Sequence, residues 1–131
     1  MSGPYVAAVY QGHDASVAVV GGGRIVHLEH ERFSRKRHAS FDRNHHEELL
    51  PAACRLMGIE PEQIVALAGI SGALDAMPPY WTGAMNVCVK EAQTIAGITA
   101  PVYSFPHHAC HAAYAYYTSP YVGARIIAMD G

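Results

Sequence analysis

Short apolar runs, alternations and one helical periodicity divide the chain into elements. Tyr5–Tyr10 (YVAAVY) and Ile64–Ile70 (IVALAGI) have the length and composition of buried strands. Ser16–Val20 (SVAVV) is a further strand. It is followed by Gly21-Gly22-Gly23, a hairpin turn because glycine takes positive φ at no steric cost. Arg24–Phe33 (RIVHLEHERF) alternates: Ile25, His27, Glu29 and Glu31 fall on one side, Val26, Leu28, His30 and Arg32 on the other. That pattern predicts a strand at least to Glu29, completing an antiparallel three-strand meander. Leu49, Leu50, Ala53, Leu56 and Met57 recur at helical spacing across Asn44–Met57, with Asp42 or Asn44 as cap and Gly58 as stop. Pro51 lies inside that stretch, where a helix kinks or starts. Pro61-Glu62-Gln63 is a turn, and Ser71–Gly83 is a loop broken by glycine and proline. Ala84–Ala96 reads as a helix and Pro101–Ser104 as a short strand. Pro106–Tyr117 reads as a helix of about three turns opening at Pro106. Arg125–Met129 is the last strand, ending at Asp130-Gly131.

The order β-β-β-α-β-α-β-α-β predicts an α/β domain: a mixed sheet with the meander first and parallel strands after it, covered by helices. Closing on a strand is odd for a finished domain, so residues 1–131 read as the first part of a larger one.

Half of the 131 residues are hydrophobic and 15% are charged, which is enough apolar material for one core. The formal charge of −2 is not the basic balance that nucleic-acid binding requires. No apolar run reaches the ~18 residues of a membrane span, and no basic-then-apolar leader opens the chain. The expectation is a soluble, cytoplasmic chain that engages neither membrane nor nucleic acid. Cys54, Cys88 and Cys110 are odd in number and show no CxxC spacing, which excludes a zinc ribbon and argues against a disulfide framework. Cys110, beside His111 in a first helical turn, is the one thiol placed for a lowered pKa.

The nine histidines carry the candidate chemistry. His107 and His111, four apart on the predicted helix, share a face and match the spacing at which two imidazoles hold one metal ion. His108 points roughly 100° away. Asp130, past a strand and before Gly131, adds a carboxylate; two His and one carboxylate leave coordination positions open. The alternative is three histidines hydrogen-bonded at a helix start. No Glu follows His107, so the zincin pattern is absent. In Gly12-His13-Asp14-Ala15-Ser16, Gly12 allows close approach of an anion, and His13 could donate a proton or hold an oxygen. The plainer alternative is a hairpin with local side-chain bonds from Asp14 and Ser16. Arg35-Lys36-Arg37-His38 is either a grip for phosphate or carboxylate or a solvated loop.

Four stretches, Gly12–Ser16, Glu31-Arg32-Phe33-Ser34-Arg35-Lys36, His107-His108-Ala109-Cys110-His111-Ala112 and Met129-Asp130-Gly131, resemble in order and rough spacing the N-terminal part of the O-carbamoyltransferases of the NodU/CmcH type. These act in nodulation-factor and antibiotic biosynthesis. The resemblance runs over essentially the whole chain and covers only the beginning of a much longer protein. It implies an N-terminal subdomain of the actin/sugar-kinase/heat-shock-protein (ASKHA) fold, related to the tRNA threonylcarbamoyl transferases. It implies ATP and carbamoyl phosphate as co-substrates, joined as carbamoyl-adenylate in a separate YrdC-like domain. The carbamoyl group then passes to a hydroxyl of a small-molecule or glycan acceptor at a divalent metal, commonly Fe2+. By position, His107 and His111 match the HxxxH ligands and Asp130 the Asp-Gly ligand. Gly12, His13 and one of Lys36 and Arg37 match positions near the carbamoyl-adenylate, and Asp14 joins His13 among the residues expected to act. A further aspartate ligand and the YrdC-like domain lie beyond this chain. The chain alone is therefore expected to be incompetent and to bind metal weakly, needing a C-terminal portion or a partner chain; a homodimer is compatible.

Two other readings compete. One is a non-catalytic metal- or nucleotide-binding module completed by a partner. The other is an ASKHA phosphotransferase, which fits less well, because its first hairpin usually carries Asp-x-Gly-Thr/Ser where this chain has Gly-His-Asp-Ala-Ser.

Overall fold

A computed structural model describes residues 3–40, 45–70 and 88–128. Its elements are β1 (Tyr5–Tyr10), β2 (Ser16–Gly21), β3 (Arg24–Glu29), α1 (His30–Ser34), α2 (His45–Met57), a 3-10 turn (Pro61–Gln63), β4 (Ile64–Ile70), β5 (Cys88–Ile95), β6 (Ile98–Phe105) and α3 (His107–Thr118). The strands form one mixed sheet in the order β3-β2-β1-β4-β6-β5. β1–β2 and β2–β3 pair antiparallel, β1–β4 and β4–β6 parallel, and β5–β6 antiparallel. The expected α/β architecture, a meander followed by parallel strands, is present. Among the described residues no helix is long and apolar enough to cross a membrane.

One face of the sheet makes the core. Alternation puts Tyr5, Ala7 and Val9 of β1, Val17 and Val19 of β2, Leu67 of β4, and Ile98, Ala100 and Val102 of β6 on that face, all buried. Leu49, Leu50, Ala53, Cys54 and Met57 of α2 are buried in the same cluster. Pro51 sits inside α2 without ending it. Its ring and missing N–H cost about 3 kcal/mol, but the apolar residues on both sides of it are buried. Each fully buried Leu contributes roughly 1.5–3 kcal/mol, so the packed face wins. The stop at Gly58 is as read from the sequence. Gly58, at φ +77°, donates its N–H to Arg55 O at 3.1 Å, and Ile59 N–H reaches Cys54 O at 3.1 Å, a Schellman closure.

The strand expected from Arg24 at least to Glu29 is present and ends there; His30 is buried and opens α1. Two expectations are corrected. Ala84–Ala96 is not a helix where it is described: residues 88–95 are β5, hairpinned to β6. Ala96 and Gly97 both take positive φ, +52° and +80°, which gives the turn the twist that two antiparallel strands need. The Thr94 and Thr99 hydroxyls bond across it at 2.8 Å. β-Branched residues flanking a glycine were the overlooked signal, and they also extend the predicted Pro101–Ser104 strand to Ile98–Phe105. Finally, Arg125–Ala128 lies in no strand and is exposed. The Ser71–Gly83 loop, the cap at Asp42 or Asn44, and Asp130 lie outside the described residues.

Candidate functional site

β1, β3, β4 and β6 all run the same way, so their C-terminal ends share one edge of the sheet. Three segments leave from that edge: the turn after β1 with Gly12, His13 and Asp14, α1 and the basic loop after β3, and α3 after β6. This is the end of an open sheet at which ligands bind.

The turn and the basic loop are stitched into one unit. Ala15 N–H donates to Ala39 O at 3.0 Å, and His30 N–H to Ala15 O at 2.8 Å. His13 Nδ1 lies 2.8 Å from Asp14 Oδ2, and His38 Nδ1 lies 2.6 Å from Asp14 Oδ1. His38 N–H donates to Glu31 Oε2 at 3.1 Å, and Arg35 N–H closes α1 onto Glu31 O at 2.9 Å. Asp14, Arg35 and His38 take left-handed backbone at φ +61°, +58° and +54°. For a non-glycine residue this costs roughly 1–2 kcal/mol, and Asp and His are among the types that tolerate it. Hydrogen bonds from His13, then from His38, hold the Asp14 carboxyl below the usual carboxylate range. One ligand-type atom each from Asp14, Glu31 and His38 lies within 4.8 Å of the others. Lys36 and Arg37 are exposed, and among the described residues neither forms an ion pair.

On α3, Pro106 serves as the N-cap rather than the first helical residue. His107 Nε2 and His111 Nε2 lie 2.9 Å apart, with the rings edge to face at 82°. The i,i+4 spacing thus brings the two imidazoles together, and the contact is a hydrogen bond, as in the alternative of histidines hydrogen-bonded at a helix start. His108 stands edge-on to His107 with centroids 5.6 Å apart. Cys110 is not activated: burial pushes its thiol above the ordinary range, and burial does the same to Cys54. Cys110 and Tyr114 of α3 line a cavity of about 360 Å³ with Tyr10 and Ser16 at the ends of the β1–β2 turn, Phe105 and Ala18. None of His13, Asp14, Lys36, Arg37, His107 and His111 lines that cavity.

The structure therefore joins Gly12, His13 and Asp14 to the basic loop, and separately joins His107 to His111. His38 was read only as part of the basic cluster and Glu31 only as part of a resembled motif, neither as a partner of Asp14. Their part depends on contacts across 24 and 7 residues of sequence, Asp14–His38 and Glu31–His38, which no local pattern announces.

No family model matches this chain, and no curated protein matches it. Among solved structures, YeaZ from Pseudomonas aeruginosa is similar with a TM-score of 0.38 and 20% identity, over 53% of this chain and 30% of that one. The chain thus spans less than a third of that protein's length.

Proposed function

We propose that this chain forms the N-terminal, ASKHA-type part of an O-carbamoyltransferase, and that its sheet edge supplies about half of the transfer site. The observation that carries the reading is the convergence on one edge of a histidine turn tied to a basic loop and a helix bearing two imidazoles 2.9 Å apart. His107 and His111 would hold a divalent ion, Fe2+ in the family resembled, with Asp130 as third ligand. When bound, the ion supplies Lewis-acid polarisation of the carbamoyl carbonyl. Lys36 or Arg37 would balance charge on the adenylate phosphate, for which an exposed cation with no ion pair among the described residues is suited. Gly12 gives the phosphate close access to backbone, and His13 handles a proton at the reacting oxygen. A further protein segment or a partner chain completes the site, and the acceptor is a hydroxyl compound. The cytoplasm, where ATP and carbamoyl phosphate are made, is the compartment this chemistry needs.

Two measurements test this. Metal content after Fe2+ or Co2+ loading is compared between wild type and the His107→Ala/His111→Ala variant; equal content removes the metal site. Calorimetric titration with a non-hydrolysable carbamoyl-adenylate analogue is compared between wild type and Lys36→Ala/Arg37→Ala. Weaker binding in the variant is expected, and unchanged binding removes the basic loop from the site.

A further inference from the structure

Both oxygens of Asp14 are taken by imidazole Nδ1 atoms, His13 on one and His38 on the other, at 2.8 and 2.6 Å. An ionised carboxylate only accepts hydrogen bonds, so both Nδ1 atoms must carry protons. A neutral imidazole holds one proton, and the lone pair of His13 therefore sits on Nε2. That is the reverse of the tautomer a free histidine side chain prefers. His38 is itself anchored, by its backbone N–H on Glu31 Oε2 at 3.1 Å and by the neighbouring Ala39 carbonyl, which accepts from Ala15 N–H at 3.0 Å. A carboxylate held at one oxygen can swing; held at both, it is fixed relative to the loop. The His13 side chain is 74% exposed at the sheet edge, so the ring is open to a ligand there.

We propose that His38 is a positioning residue: through Asp14 it fixes the His13 ring in the tautomer whose Nε2 is a base. This rests on the carbamoyl-transfer reading and gives His13 its part in it. The acceptor oxygen forms a bond to the carbamoyl carbon, and the hydroxyl proton passes to His13 Nε2. The bond from that carbon to the adenylate phosphate oxygen breaks, its electron pair leaving with AMP. The resulting imidazolium faces the Asp14 carboxylate, which stabilises it.

The test reads the tautomer directly and needs neither metal nor substrate. Imidazole 1H–15N correlations of the 15N-labelled 131-residue chain are recorded at about pH 8.5, above the ordinary imidazole range. His13 is expected as Nδ1–H in wild type and as Nε2–H in Asp14→Asn. His38→Ala should lower the Nδ1–H share, whereas His38→Asn should retain it, because its amide can donate to the same oxygen and Asn tolerates φ near +54°. Amide dispersion checks the fold of each variant, and if Asp14→Asn unfolds, the two His38 variants carry the comparison. An Nε2–H wild type, or a His38→Ala spectrum equal to wild type, overturns the proposal. Failure of metal loading to depend on His107 and His111 would remove the carbamoyl-transfer reading while leaving this tautomer result standing.

Discussion

Replacing His107 and His111 by alanine removes two ligand atoms without touching the core, since no residue of α3 is buried. The 2.9 Å between the two Nε2 atoms is a hydrogen bond, so an ion held by both imidazoles has to replace that bond and take both lone pairs. An ion at ten times its dissociation constant stabilises the folded chain by about 1.4 kcal/mol. For a chain of this size that is a rise of roughly 5 °C in melting temperature. The rise should fade as pH falls through the imidazole range, because protonated histidine cannot bind metal. Circular dichroism melts with and without Co2+ read the shift, and a chelator should reverse it. An equal rise in the double variant would refute the reasoning.

Leu50 is fully buried between α2 and the sheet; Leu50→Ala should cost about 2–5 kcal/mol in urea unfolding, and a loss under 1 kcal/mol would mean the core is not packed as described. Pro51→Ala restores a helical N–H and should raise stability by roughly 1–3 kcal/mol in the same assay. The Asp14 carboxyl is lowered in the folded chain, so it contributes stability above its unfolded value of about 3.9 that is lost as pH falls through the folded value. As pH falls below about 5 wild type should therefore lose more stability than Asp14→Asn, and parallel acid profiles would contradict the hydrogen-bonded geometry.

What the sequence made legible was periodic or local. The meander was readable because Val17 and Val19 alternate with smaller or exposed neighbours, and because Gly22 and Gly23 take the positive φ of a hairpin turn at no steric cost. The His107–His111 pair was readable because helix geometry alone brings positions four apart together. The hairpin at Ala96-Gly97 was missed because Ala is an unusual residue for a turn needing two positive φ angles, so the Asn-Gly or Asp-Gly cue was absent. The Asp14–His38 bond was unreadable for another reason: it joins a turn to a loop that the order of strands, not any local pattern, brings side by side. Pro51 misled because helix propensity is a weak term beside a buried Leu49–Met57 face.

The two faces of the sheet are held differently, and the difference bears on the histidine pair. The face under α2 is filled, whereas the other presents Ala8, Ala18 and Ala68 toward α3 and leaves the cavity of about 360 Å³. Small residues let a helix approach but bury little area, and Tyr114 remains 73% exposed. Packing on the sheet is thus not what brings His107 and His111 together; their spacing on the helix and the hydrogen bond between their Nε2 atoms are. Ala18→Leu should fill part of the cavity, leave stability equal or raised, and preserve the Co2+-induced rise in melting temperature. A stable Ala18→Leu variant that loses that rise would show that the position of α3 on the sheet, not the helix alone, fixes the two imidazoles.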